Sequence, residues 1–222
     1  MEQLPIYLSV AFVCITLFTL YLLYKASSSK TLLLVCFSWL LIQSAISLTS
    51  FYTNYLTLPP RLFVFLILPV LIAFVILFNT NKGKQWIDTL DIKWLTYLHI
   101  VRVPVELILF GLYAYAMIPE LMTFEGRNFD ILSGITAPII GYLGYSKNLL
   151  QKKVLLIWNF ICLALLINIV ANALLAAPFP FQQFAFDQPN IAIFYFPFTL
   201  LPGFVVPAVL FSHLVSIRRL LK

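Results

Sequence analysis

Residues 4–52 run LPIYLSVAFVCITLFTLYLLY, then KASSSK, then TLLLVCFSWLLIQSAISLTSFY, the breaks falling after Tyr24 and Lys30. Two uncharged stretches, each about the 20 residues that cross a hydrocarbon core, are joined by a turn holding two lysines. A backbone in that core has no water to satisfy its amides, so each stretch must be a helix and the pair a transmembrane hairpin. The same grammar repeats. Further apolar runs extend from about Leu62 to Phe78, Leu95 to Ile118, Ile131 to Tyr145, Val154 to Ala176 and Ile191 to Ile217. Seven spans consume about 140 residues, leaving only connections in a chain of 222. The expectation is an all-α polytopic membrane protein, one integral seven-transmembrane-helix bundle over residues 1–222.

Composition agrees. The chain is 62% hydrophobic and 10% charged, where a soluble domain carries roughly 25% charge. A net charge of +6 raises the question of nucleic acid, but the cations sit at span ends, where membrane helices keep them. With the N-terminus outside, Lys25, Lys30, Lys82, Lys84, Lys93, Lys147, Lys152, Lys153, Arg218, Arg219 and Lys222 are cytoplasmic. Only Arg61 and Arg127 lie on the outer side, with Glu2, Glu120, Glu125, Asp130 and Asp187. The positive-inside rule therefore predicts N-terminus out and C-terminus in. Glu2 is the only early charge, so the first stretch lacks the basic start of a secretory signal and is expected to stay attached.

Cys14, Cys36 and Cys162 all fall in apolar runs without metal-ligand spacing, and are expected to be small buried hydrophobes. Trp86, Leu90 and Trp94 recur every four residues, which suggests an interfacial helix leading into the fourth span. Tyr52, Tyr55, Trp94, Tyr97, Tyr145 and Trp158 stand at span ends, the usual place of aromatic anchors.

The fourth span carries HIVRVPVE, His99 to Glu106. At about 100° per residue, His99, Arg102 and Glu106 lie within about 60° of one another, and Tyr113 extends the face outward. A charge near mid-bilayer costs at least about 2.5 kcal/mol, so the face should turn into the bundle. Pro104 also leaves the carbonyl of Ile100 without its helical donor. One reading is a proton-linked or ligand-binding site in which Glu106 titrates and Arg102 pairs with it or with an anionic ligand. The other is structural: Arg102 snorkels to headgroups, His99 caps a neighbour and Glu106 is neutral or paired internally. The depth of Glu106 favours the first.

Gln43, Ser47, Ser50 and Asn54 form a polar stripe in the second span. Such a stripe lines a cavity or hydrogen-bonds neighbouring helices, an interaction worth about 0.6 kcal/mol on average. Asn168 and Asn172 pose the same choice in the sixth span, where Asn159 points elsewhere. Ser133, Ala137 and Gly141 make a small-residue ridge in the short fifth span, suited to close packing or to half of a transporter site. Glu120, Glu125, Arg127, Asn128 and Asp130, with Gln182, Gln183 and Asp187, offer an outer vestibule or a solvated, salt-bridged loop. Carboxylates are the oxygen ligands a divalent cation prefers, but their spacing matches no known ion-binding loop, so no metal site is predicted from them. His99 and His213 stand at equal depth, the placement a haem between two helices would need, although packing is the commoner use of lone histidines.

Two histidines exclude the many-histidine centres of membrane desaturases. There is no zinc-protease helix, Walker loop or dinucleotide fingerprint, and the seventh span has no lysine for a retinal Schiff base. The segments His99 to Glu106, PELMTFEGRNFDILSGITAP (Pro119 to Pro138) and APFPFQQFAFDQPN (Ala177 to Asn190) resemble those of an uncharacterised family of bacterial multi-span membrane proteins. That resemblance implies a bacterial inner-membrane setting and brings no activity with it. The leading expectation is binding or transport of a small molecule or ion through Glu106, Arg102, His99, Tyr113, Gln43, Ser47, Asn168 and Asn172. The rivals are a non-catalytic membrane subunit or assembly factor, which a homo-oligomer or membrane partner would accompany, and an intramembrane enzyme or haem protein.

Overall fold

A computed structural model describes residues 4–222, and among them the chain forms helices and irregular segments without a strand. Glu2, assigned to the outside by the charge argument, lies outside the described residues. In chain order the helices are α1 (Ile6–Ser27), α2 (Lys30–Leu48), α3 (Phe63–Asn79), α4 (Asn81–Thr89), α5 (Ile92–Ala114), α6 (Ile131–Ser146), α7 (Lys152–Leu175) and α8 (Leu201–Leu221). Five of them, α1, α2, α5, α7 and α8, are long and apolar enough to cross a membrane. The α3–α4 pair, bent by 90°, makes a sixth if counted as one span.

The bend follows from two residues. Thr80 caps α4, its hydroxyl accepting from the Gly83 amide at 3.1 Å, which fixes the start of a new helix. A Cβ on Gly83 would collide with the backbone carbonyl of Leu77, so only glycine lets α4 fold back this tightly. The single face expected for Trp86, Leu90 and Trp94 is broken. Leu90 ends α4, and Asp91 starts α5 by accepting from the Lys93 amide at 2.8 Å. Trp86 stacks on Phe211 of α8, whereas Trp94 packs with Tyr97 and Lys25. Asp88 meets Arg218 and Lys222, and Arg219 donates to the Leu90 carbonyl. The cationic ends of several helices thus gather at one end of the bundle.

Two boundaries differ from the sequence expectation. Ser50 adopts a left-handed φ of 59°, so α2 stops at Leu48 and the polar stripe ends at Ser47; Ser50 and Asn54 are exposed. The last span begins at Leu201 rather than Ile191, because Pro197 and Pro202 lack the amides a helix would need there. The anchor and cysteine assignments are also corrected in part. Tyr52 is fully buried, Trp158 packs inside against His99, and Cys14 is exposed while Cys162 is buried.

Helix α6 is short for a reason that matters to the site. At about 1.5 Å per residue it is about 24 Å long, against the roughly 30 Å of a hydrocarbon core. It runs antiparallel along the first half of α5: Gly134 sits against Val103 and Arg102, and Gly141 against Tyr97. Beside the second half of α5 the chain is irregular, in segments 115–130 and 176–200. These segments bind each other, the amides of Ile191 and Ala192 donating to the Met117 carbonyl at 3.0 and 3.1 Å, and the second is closed on itself by the Asn190 amide donating to the Ala176 carbonyl at 2.8 Å. Buried irregular backbone needs partners of this kind, because its amides and carbonyls have no helical ones.

Candidate functional site

Arg102 lies at the middle of α5, 3% exposed. Its Nε donates to Oδ2 of Asp130 at 2.6 Å and its Nη2 to Oδ1, a bidentate ion pair. Nη2 also donates to the Cys162 carbonyl at 2.9 Å, and Nη1 lies 3.0 Å from Nε2 of His213. Asp130 reaches this depth because α6 starts there. Gly134 allows it: a Cβ at that position would stand 2.8 Å from the Val103 amide nitrogen and 3.2 Å from Arg102 Cβ, so a side chain would push the helices apart.

The histidines complete one side of the cluster. His213 Nδ1 is 3.0 Å from Oδ1 of Asn159, whose amide nitrogen donates to the Leu155 carbonyl at 2.9 Å. A guanidinium only donates and an amide oxygen only accepts, so His213 holds its proton on Nδ1 and accepts from Arg102 at Nε2. His99 stacks on His213 with ring centroids 3.9 Å apart and planes 23° from parallel; Trp158 meets its edge at 5.5 Å. The equal depth expected of the two histidines does bring them together. They meet face to face, an arrangement that offers a metal no free nitrogen of His213.

Glu106, one turn on and 2% exposed, has a different partner. Both its oxygens accept from Nδ2 of Asn128 at 2.6 Å. Asn128 also donates to the Met122 carbonyl at 3.0 Å, while its Oδ1 accepts from the Asp130 amide at 3.0 Å. One neutral side chain therefore shapes the turn before α6, presents Asp130 to Arg102 and holds Glu106. Arg102 pairs with Asp130, not with Glu106 as the spacing suggested.

Glu106 and Asp130 both line a cavity of about 230 Å³ between α3, α5, α7 and α8, whose other walls are apolar except for Asn190. Asn190 is fully buried. Its Nδ2 donates to the Ala173 carbonyl at 3.1 Å, and its Oδ1 has no partner among the described residues.

The remaining expected residues lie elsewhere. Gln43 is buried with its Oε1 accepting from the Tyr52 hydroxyl at 2.5 Å and its Nε2 donating to the Phe65 carbonyl at 3.1 Å. Ser47 shares a 2.8 Å hydrogen bond with Thr199. Trp39, on the same face of α2, donates to the Gly203 carbonyl at 2.9 Å. The two carbonyls reached by Gln43 and Trp39 stand four residues before Pro69 and Pro207, the positions whose helical donors those prolines remove. The stripe thus repairs broken backbone in α3 and α8. Asn172 donates to the Asn168 carbonyl at 3.0 Å, and Asn168 to the Arg127 carbonyl at 2.9 Å. Tyr113 packs on Phe110. Glu120, Glu125, Arg127, Asp187 and Gln183 are exposed and Gln182 half-buried, so of the expected vestibule only Asn128 and Asp130 enter the interior.

The sequence expectation treated Asp130 as an outer-loop residue and left Asn128 among the loop polars. The signal for both was the length of the fifth span: a helix too short to cross must begin inside, and the polar residues just before it come with it.

The family described as a domain of unknown function, DUF8737, matches residues 59–221, and the chain belongs to it. The matched region includes the whole Arg102–Asp130–Glu106 cluster and leaves out α1 and α2. No curated protein matches the chain, and no solved structure does.

Proposed function

We propose that this member of the family is a multi-pass protein of a bacterial inner membrane that binds or transports a small molecule or ion at Glu106. In this reading the chain crosses seven times, with α3 one span, α4 turned aside at its cytoplasmic end, and α6, together with the irregular segment before it, another. The N-terminus lies outside and the C-terminus in the cytoplasm, supported by eleven cations against two at the span ends. The bacterial setting rests on the resemblance of the three quoted segments.

One observation carries the binding reading. Glu106 faces a cavity whose other polar side chains are Asp130 and Asn190; it has no ion-pair partner among the described residues, and its oxygens are held by a neutral amide. Charge buried at this depth is costly, and Asp130 already takes the bonds of Arg102. Glu106 is therefore the group that a proton or a ligand's positive charge would complete. Arg102, Asp130, Asn159 and His213 hold the site in place, and His99 packs it.

Native mass spectrometry of gently solubilised protein tests this. A retained small mass that disappears in Glu106→Gln, with helical content unchanged, is the expected result. A Glu106→Gln variant that retains the same mass and shows the same uptake would remove Glu106 from the site.

A further inference from the structure

We infer that the ligand of this cavity is an amphiphile, an ammonium group on an apolar body, drawn sideways from the lipid phase between α3 and α7. This rests on the reading of Glu106 as a ligand-binding group and names the class of ligand. The chemistry of the walls argues for it. Among the lining residues only Glu106, Asp130 and Asn190 have polar side chains, and what they present is acceptors. The Asp130 carboxylate is engaged by Arg102. The Ala173 carbonyl can only accept, so it fixes Nδ2 of Asn190 towards itself and leaves Oδ1 without a partner. Glu106 has one neutral donor for two oxygens. A carboxylate or phosphate head would find acceptors and a negative charge. An ammonium brings three donors and the missing positive charge.

The shape points the same way. About 230 Å³ is below the roughly 300–1,000 Å³ that encloses a drug-sized ligand, so it takes a head and the first part of a tail. The rest has an exit at Leu71 of α3, which lines the cavity and is 48% exposed on a surface that hydrocarbon covers in this reading. Val170 and Ala173 of α7, only partly buried, form the opposite lip.

The test is photolabelling in phosphatidylcholine nanodiscs with three diazirine probes of one chain length: hexadecylamine, hexadecanol and hexadecanoic acid. The amine should label residues around Leu71 and Val170, compete with unlabelled dodecylamine, and label about tenfold less in Glu106→Gln, the effect of losing one hydrogen bond to a charged group. Glu106→Asp keeps the charge and should keep the labelling. Equal labelling by the acid or the alcohol would overturn the proposal, as would amine labelling that Glu106→Gln leaves unchanged. A Glu106-dependent mass in native mass spectra without amine preference would refute the ligand class and leave the binding reading. Absence of both would end both.

Discussion

Two regions of this bundle bury polar side chains, and they do so for opposite reasons. On α2, Trp39, Gln43 and Ser47 are all spoken for by neutral partners: two proline-freed carbonyls, a tyrosine hydroxyl and a threonine. On α5, Arg102 and Glu106 are ionisable, and their partners come from the loop before α6, from α7 and from α8. Nothing in the backbone required those charges. A polar residue in a membrane span is thus no pointer to function where a nearby proline has left a carbonyl for it to serve. Charge with no backbone debt is the better pointer.

Three substitutions sharpen or break this contrast. The largest effect should come from Arg102→Met, which leaves Asp130 buried without its partner. A loss of about 3–5 kcal/mol is expected in reversible unfolding from mixed micelles, and Arg102→Met with Asp130→Leu should recover most of it. A loss below about 1 kcal/mol would mean that water reaches the pair, and the contrast would fail. Next comes Gln43→Leu, which strands the Phe65 carbonyl and the Tyr52 hydroxyl at a cost of about 1–3 kcal/mol. In a Pro69→Ala background, where residue 69 regains its amide, Gln43→Leu should cost less. Strict additivity of the two changes would refute the repair role of Gln43.

The smallest effect belongs to Asp88, at the charged end and outside the spans. Hydrogen bonds from Lys222 and then Arg218 hold its carboxyl below the usual value of 3.8. A folded value below the unfolded one stabilises fully above 3.8 and is lost as pH falls through the lower folded value. Asp88→Asn should therefore lower the melting temperature slightly at neutral pH, less in added salt, and not at all once the wild-type carboxyl is protonated. A shift independent of pH would assign Asp88 a packing role instead.

Much of the helical order was legible because it depends on local quantities. The length of each apolar run, the lysines at Lys25 and Lys30, and Pro59-Pro60 place helix ends to within a few residues. His99, Arg102 and Glu106 were legible as one inward face because helical angle and the cost of buried charge are properties of a single span. The boundaries at Ser50 and Ile191 were not. Ser50 stops α2 through a left-handed conformation that its residue type does not announce. The segment after Ile191 stays irregular because Met117, in a distant loop, accepts its amides.

The pairing within the site was the least legible of all. Spacing on α5 offers Arg102 a partner at Glu106, four residues away, and the structure gives it Asp130, which is 28 residues away. Sequence alone determined that the chain is helical and apolar enough to span a membrane, and that one span buries charge, since transfer from water to hydrocarbon depends on composition and period. Only the tertiary structure decided which carboxylate neutralises Arg102 and which faces the cavity with a neutral partner. That choice depends on where a short helix starts in depth and on one asparagine that holds the turn.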